Sequence, residues 1–113
     1  MINKKPTVTV LMSTYNGERF LKEQLDSILQ QQDVDVRLCV RDDGSTDGTM
    51  DILLEYADAI ELTIGNNFGV GNSFMSMVYS ANLESDYYAF SDQDDIWMPD
   101  KLISAVDELK NIE

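Results

Sequence analysis

Tyr87-Tyr88-Ala89-Phe90-Ser91-Asp92-Gln93-Asp94-Asp95 carries an aromatic, strand-like run straight into three acids within four residues. Carboxylates this close repel one another, and such a cluster at a strand end is relieved by a cation. The stretch reads as a β-strand whose carboxyl end delivers oxygen ligands, with Asp92 and Asp94 as candidate metal ligands. An acidic surface turn that caps the next helix is the plainer alternative, and it suits Asp95 and Asp100 better.

Upstream, the same arrangement recurs. Thr7-Val8-Thr9-Val10-Leu11-Met12 is β-branched and apolar and stops at the turn formers Ser13-Thr14-Tyr15-Asn16-Gly17. From Glu18 a helical stripe follows, with Leu21, Leu25, Ile28 and Leu29 on one face. Val36-Arg37-Leu38-Cys39-Val40 predicts a second strand ending at Arg41-Asp42-Asp43-Gly44-Ser45. A helix opening near Asp47 or Thr49 places Met50, Leu53, Leu54 and Ala57 on one face. Residues 60–64 predict a third strand, and a helix with Val70, Phe74, Met77, Val78 and Ala81 follows Gly65-Asn66-Asn67-Phe68-Gly69. Beyond the acids, Pro99 predicts the start of a last helix with Leu102, Val106 and Leu109 inward, stapled to the core by Trp97 and Met98.

Four strand–helix units call for an α/β fold: a mainly parallel sheet, helices on both faces, right-handed connections. Ligands of such sheets sit beyond the carboxyl ends of the strands. The polar clusters 13–16, 42–45, 66–71 and 92–95 therefore converge on one edge. Tyr15 beside hydroxyls at that edge suits stacking on a flat base, and core packing is its alternative.

The 113 residues suffice for one domain, and no apolar run approaches the length of a membrane span. With 8 Lys and Arg against 21 Asp and Glu, the net charge of −13 speaks against direct binding to nucleic acid or an anionic membrane. A phosphate ligand would need a bridging cation. There is no histidine, which leaves carboxylates as metal ligands and narrows the ion to Mg²⁺ or Mn²⁺. The single cysteine, Cys39, reads as a small buried hydrophobe and fits a reducing cytoplasm. The N-terminus lacks the apolar core of a secretion signal.

Three motifs, residues 10–17, 40–47 and 91–102, together resemble family 2 glycosyltransferases in sequence, order and position after a strand. Among these, the chain looks especially like bacterial rhamnosyltransferase-like members that build polysaccharide or O-antigen. The resemblance implies a GT-A-like, Rossmann-like half-fold and an inverting transfer from a nucleoside-diphosphate sugar, UDP- or dTDP-linked, to a hydroxyl of a saccharide or lipid-linked saccharide. It implies that Ser13, Thr14 and Tyr15 line the base pocket, and that Asp43 hydrogen-bonds base or ribose with Asp42 nearby. Asp94 would ligate the metal, and Asp92 would contact ribose or the metal through water. Family members continue past this point to supply the catalytic base. The chain is thus expected to be the donor-binding portion, residues 1–113, of a longer cytoplasmic enzyme, peripheral to the inner membrane, with its base beyond Glu113.

Two alternatives to catalysis are a non-catalytic nucleotide-sugar-binding module and a receiver-like phospho-acceptor domain, which also gathers acids at strand ends. An EF-hand reading of Asp43, Ser45, Asp47, Gly48 and Asp51 fails because Leu54 stands where the bidentate glutamate belongs. Asp-Gly at 43–44 is also an ordinary turn.

Overall fold

The structure, a computed structural model, describes residues 5–65, 77–78, 85–92 and 95–112. Its elements in order are β1 (Thr7–Thr14), α1 (Leu21–Leu29), β2 (Asp35–Asp42), α2 (Thr49–Glu55), β3 (Ile60–Ile64), β4 (Tyr87–Ser91) and α3 (Lys101–Ile112). The helix expected between β3 and β4 lies outside the described residues except at Met77 and Val78, which are helical. The strands form one parallel sheet in the order β3-β2-β1-β4. That order separates the chain from the receiver reading, because the other common doubly wound order, used by receiver domains, sets β3 beside β1.

Topology follows from handedness. β1 to β2 and β2 to β3 step in one direction, so right-handed crossovers put α1 and α2 on the same face. β4 returns to the far side of β1. Side chains alternate accordingly. Val8, Val10 and Met12 of β1 join Leu38 and Val40 of β2 against Leu21, Leu25 and Ile28 of α1, Leu53 of α2, and Trp97, Leu102 and Val106 around α3. Each fully buried aliphatic side chain here contributes about 1.5–3 kcal/mol relative to exposure. On the other face lie Leu11 and Met77, both buried.

Several expected contacts differ. Leu54 and Leu109 are 57% and 49% exposed: the seven-residue α2 buries only Thr49 and Leu53, and the twelve-residue α3 buries Leu102 and Val106 in its first half. Met98 is 71% exposed, leaving Trp97 to fasten the loop, with Lys101 Nζ 4.6 Å above its ring. α3 begins at Lys101 because Pro99 and Asp100 form the turn that precedes it.

Cys39 is half-buried rather than core, on the face away from α1. Its register partner is Glu61, to whose Oε2 its thiol donates at 3.5 Å, while Arg37 clasps both oxygens of the same carboxylate. Burial, then the Glu61 carboxylate, push the Cys39 thiol up to about 11. The folded chain therefore keeps a proton that the unfolded chain releases at its ordinary value. This contribution to stability is complete below about pH 9 and is lost as pH rises toward about 11. Urea unfolding should show a loss of stability over that interval that is smaller in Cys39→Ala than in the parent; parallel curves would mean the thiol is not linked to folding.

Candidate functional site

The carboxyl ends of β2, β1 and β4 lie side by side. In register, Ser13 faces Arg41, Thr14 faces Asp42, and Met12 faces Ser91. With neighbouring strands about 4.8 Å apart, the loops after β2 and β4 flank the one after β1. The flanking occurs where the direction of strand addition reverses, which is where a doubly wound sheet opens a crevice.

Asp42 is fully buried, and its carboxylate shapes the turn after β2. Oδ1 accepts from Thr14 Oγ1 at 2.8 Å and Ser45 Oγ at 2.6 Å; Oδ2 accepts from the amides of Gly44 at 3.1 Å and Ser45 at 2.8 Å. Gly44 supplies the positive φ of 85° that lets both amides face one oxygen.

The adjacent Asp43 serves the opposite face. It is 2% exposed, forms a buried ion pair with Arg41, itself 5% exposed, and accepts from Ser13 Oγ at 3.5 Å. Its amide donates to Thr14 O at 2.9 Å, closing β1 onto β2. Gly65, whose amide bonds Asp42 O, leaves the space that the Arg41 guanidinium fills; a Cβ there would overlap it.

The loops after β1 and β2 are laced together. Asn16, at φ 49°, donates its amide to Ser45 Oγ and accepts the Thr46 amide on Oδ1 at 2.8 Å. The Gly17 amide donates to Thr49 Oγ1 at 3.0 Å, the Glu18 amide to Asp47 Oδ2 at 3.3 Å, and the Gly48 amide to Glu18 Oε2 at 3.2 Å. Hydrogen bonds from Thr49 hold the exposed Asp47 carboxyl below its usual range.

Of the sequence-predicted nucleotide residues, the structure thus brings Ser13, Thr14, Asp42 and Asp43 into one buried hydrogen-bonded frame. Tyr15, 42% exposed, and Asp92, also exposed, stand at the same edge on the solvent side. Asp94 lies outside the described residues. Arg41, Asn16 and Thr49 were missed by sequence reasoning. The signal for Arg41 was a cation at the last turn of an apolar strand, directly before two acids.

Among the described residues no three acids or thiols gather into a cage. An exposed, oxygen-only donor such as Asp92 suits Mg²⁺ or Mn²⁺, which take one or two carboxylates and complete their shells with phosphate oxygens and water.

Residues 9–113 match the family described as glycosyl transferase family 2. The chain belongs to that family. Over 103 residues it is 43% identical to the dTDP-rhamnosyl transferase RfbG of Shigella flexneri, a match covering 85% of this chain and 36% of RfbG. It is 36% identical over 105 residues to a putative teichuronic acid biosynthesis glycosyltransferase, TuaG, of Bacillus subtilis, covering 90% of this chain and 41% of TuaG. Among solved structures, the mannosyltransferase PcManGT from Pyrobaculum calidifontis, in complex with GDP-Man and Mn²⁺, superposes with a TM-score of 0.80 at 28% identity, over 90% of this chain and 32% of that one. The α/β sheet is that of the GT-A glycosyltransferases. The chain spans well under half the length of these curated relatives, 36% of RfbG and 41% of TuaG.

The buried ion pair gives the site a stability test. Removing one partner strands the other charge, so Arg41→Met should cost about 3–5 kcal/mol of unfolding free energy, and Arg41→Met/Asp43→Asn should regain more than half of it. If chemical denaturation shows Arg41→Met no worse than Arg37→Met at the more exposed Arg37–Glu61 pair, whose removal costs about 0–1 kcal/mol, the frame does not depend on this pair.

Proposed function

We propose that this chain is the donor-binding portion of an inverting glycosyltransferase that passes a sugar from a dTDP- or UDP-linked donor to a hydroxyl of a saccharide or lipid-linked saccharide in bacterial polysaccharide synthesis, O-antigen included. The observation that carries this reading is the placement of Tyr15 and Asp92 on the solvent side of a rigid frame at the reversal point of the sheet. Membership of the family supports the transfer chemistry, and the likeness to a dTDP-rhamnosyl transferase supports the donor class.

In this reading Tyr15 stacks on the base, Ser13 and Asp43 meet base or ribose, and Asp42 with Thr14 holds the loop in shape. Asp94 is the metal ligand, and Asp92 contacts ribose or a metal-bound water. A divalent cation, Mn²⁺ or Mg²⁺, would stabilise the charge developing on the departing diphosphate. The chain's own residues fix the nucleotide so that this charge appears in one place. The acceptor and its catalytic base belong to the remainder of a longer protein in this proposal, which acts on the cytoplasmic side of the inner membrane. Among the described residues no helix is long and apolar enough to cross a membrane.

Calorimetry with dTDP and UDP, each with and without Mn²⁺, tests the reading. At least one nucleotide should bind, and Mn²⁺ should tighten it by about tenfold, or 1.4 kcal/mol. Asp94→Ala should abolish that gain and Asp95→Ala should keep it. Failure of both nucleotides with Mn²⁺ present would remove the donor site; equal losses in the two variants would mean that Asp94 is not the ligand.

A further inference from the structure

We propose that Gln24 of α1 and Gln31, just past the C-terminus of α1, are positioning residues that clamp the acidic loop after β4 and so set where Asp92 stands at the donor edge. Both glutamines are buried, 1% and 7% exposed, within and just after a helix whose core stripe needs only Leu21, Leu25 and Ile28. A buried primary amide costs free energy unless its donors and acceptor are used. These two amides both reach the segment that follows β4, and Gln31 Nε2 also donates to Ser27 O at 3.0 Å.

Gln24 Nε2 donates to Ser91 Oγ at 3.1 Å and to the main-chain oxygen of Asp92 at 2.5 Å. One turn on, Ser27 Oγ accepts the Trp97 amide at 3.1 Å. Gln31 then works in both directions, donating from Nε2 to Met98 O at 2.6 Å and accepting the Leu102 amide on Oε1 at 2.9 Å. The Gln32 amide donates to Pro99 O at 2.8 Å. Gln24, Ser27 and Gln31 recur at i, i+3 and i+7, a polar stripe that runs beside the leucine stripe of α1 and continues just past its end. It grips the loop at its first residue, its middle and its junction with α3. A leucine at either glutamine would fill comparable space but could not meet the Asp92 and Met98 carbonyls or the Leu102 amide. The glutamines touch neither sugar nor phosphate in this proposal; they act through the main chain of the acidic loop.

The role rests on the donor-site reading, and two measurements on the 113-residue chain keep the two apart. The first needs no ligand. Amide hydrogen exchange at Leu102 and Trp97 should accelerate about tenfold in Gln31→Met, while amides of β1 and β2 stay protected and exposed Gln30→Met behaves as the parent. Unchanged protection at Leu102 would overturn the clamp whatever the nucleotides do. The second is the calorimetry of dTDP and UDP with and without Mn²⁺, applied to Gln24→Met. Loss of positioning should reduce the Mn²⁺-dependent gain by about tenfold and leave metal-free binding within about twofold. A merely structural role lowers both together or neither, and either result removes the positioning claim. If the parent binds neither nucleotide with Mn²⁺, the donor-site reading itself has failed and takes the positional role with it, whereas the exchange data still report whether the loop is held.

Discussion

The reversal of strand addition at β1 is the constraint on which the rest of the structure depends. Two right-handed crossovers carry the chain outward from β1 to β3, and the next described strand, β4, joins the sheet at the free side of β1. That single step gives β1 two neighbours whose carboxyl ends point the same way. The loops after β1, β2 and β4 then share one edge although they are separated by up to about eighty residues in sequence. Asp42 and Asp43, adjacent in the chain, look to opposite sides of the sheet because side chains alternate along an extended strand.

Those two acids are treated differently from Asp92, and the difference is energetic. Removing a carboxylate from water costs several kcal/mol after relaxation. Asp42 offsets this with four hydrogen bonds, each worth about 1.5–3 kcal/mol when one partner is charged. Asp43 relies on the Arg41 guanidinium and Ser13. Neither buried acid can be moved cheaply, which suits a frame. Asp92 remains exposed and pays no such penalty, so its charge is available at the edge. In a chain of net charge −13, burying Arg41 among the acids also lowers the local repulsion that would otherwise open this edge.

The fold was largely legible in the sequence, for a physical reason. β-branched runs ending in Ser-Thr-Tyr-Asn-Gly and Asp-Asp-Gly-Ser fix both a strand and its stop, and the leucine spacing of 21–29 fixes a helix. Strand ends were read short: β1 reaches Thr14 and β2 reaches Asp42, because Thr14 and Asp42 are satisfied by each other across the sheet, which no local propensity encodes. Inward positions failed where helix length decided the matter, as at Leu54 and Leu109. The site residues were visible as a polar cluster, but the distinction between frame and exposed edge was not. It depends on Arg41, Gln24 and Gln31, whose partners lie largely on other segments.

The position of β4 explains why α1 carries polar side chains at all. Among the described strands β4 is an edge, five residues long and paired only with β1, whereas the end of β1 is gripped from both sides. An acidic loop leaving such an edge has one strand neighbour to restrain it, and its own carboxylates push apart. A second restraint must come from the layer above the sheet, and α1 is the helix packed there. The leucines of α1 hold the helix to the sheet without direction, since apolar contact is indifferent to small shifts. The amides of Gln24 and Gln31 add direction, because a hydrogen bond fails within a fraction of an ångström or a few tens of degrees. α1 and the residues just past its end thus supply both adhesion to the core and the alignment of a loop that the sheet alone leaves half-held.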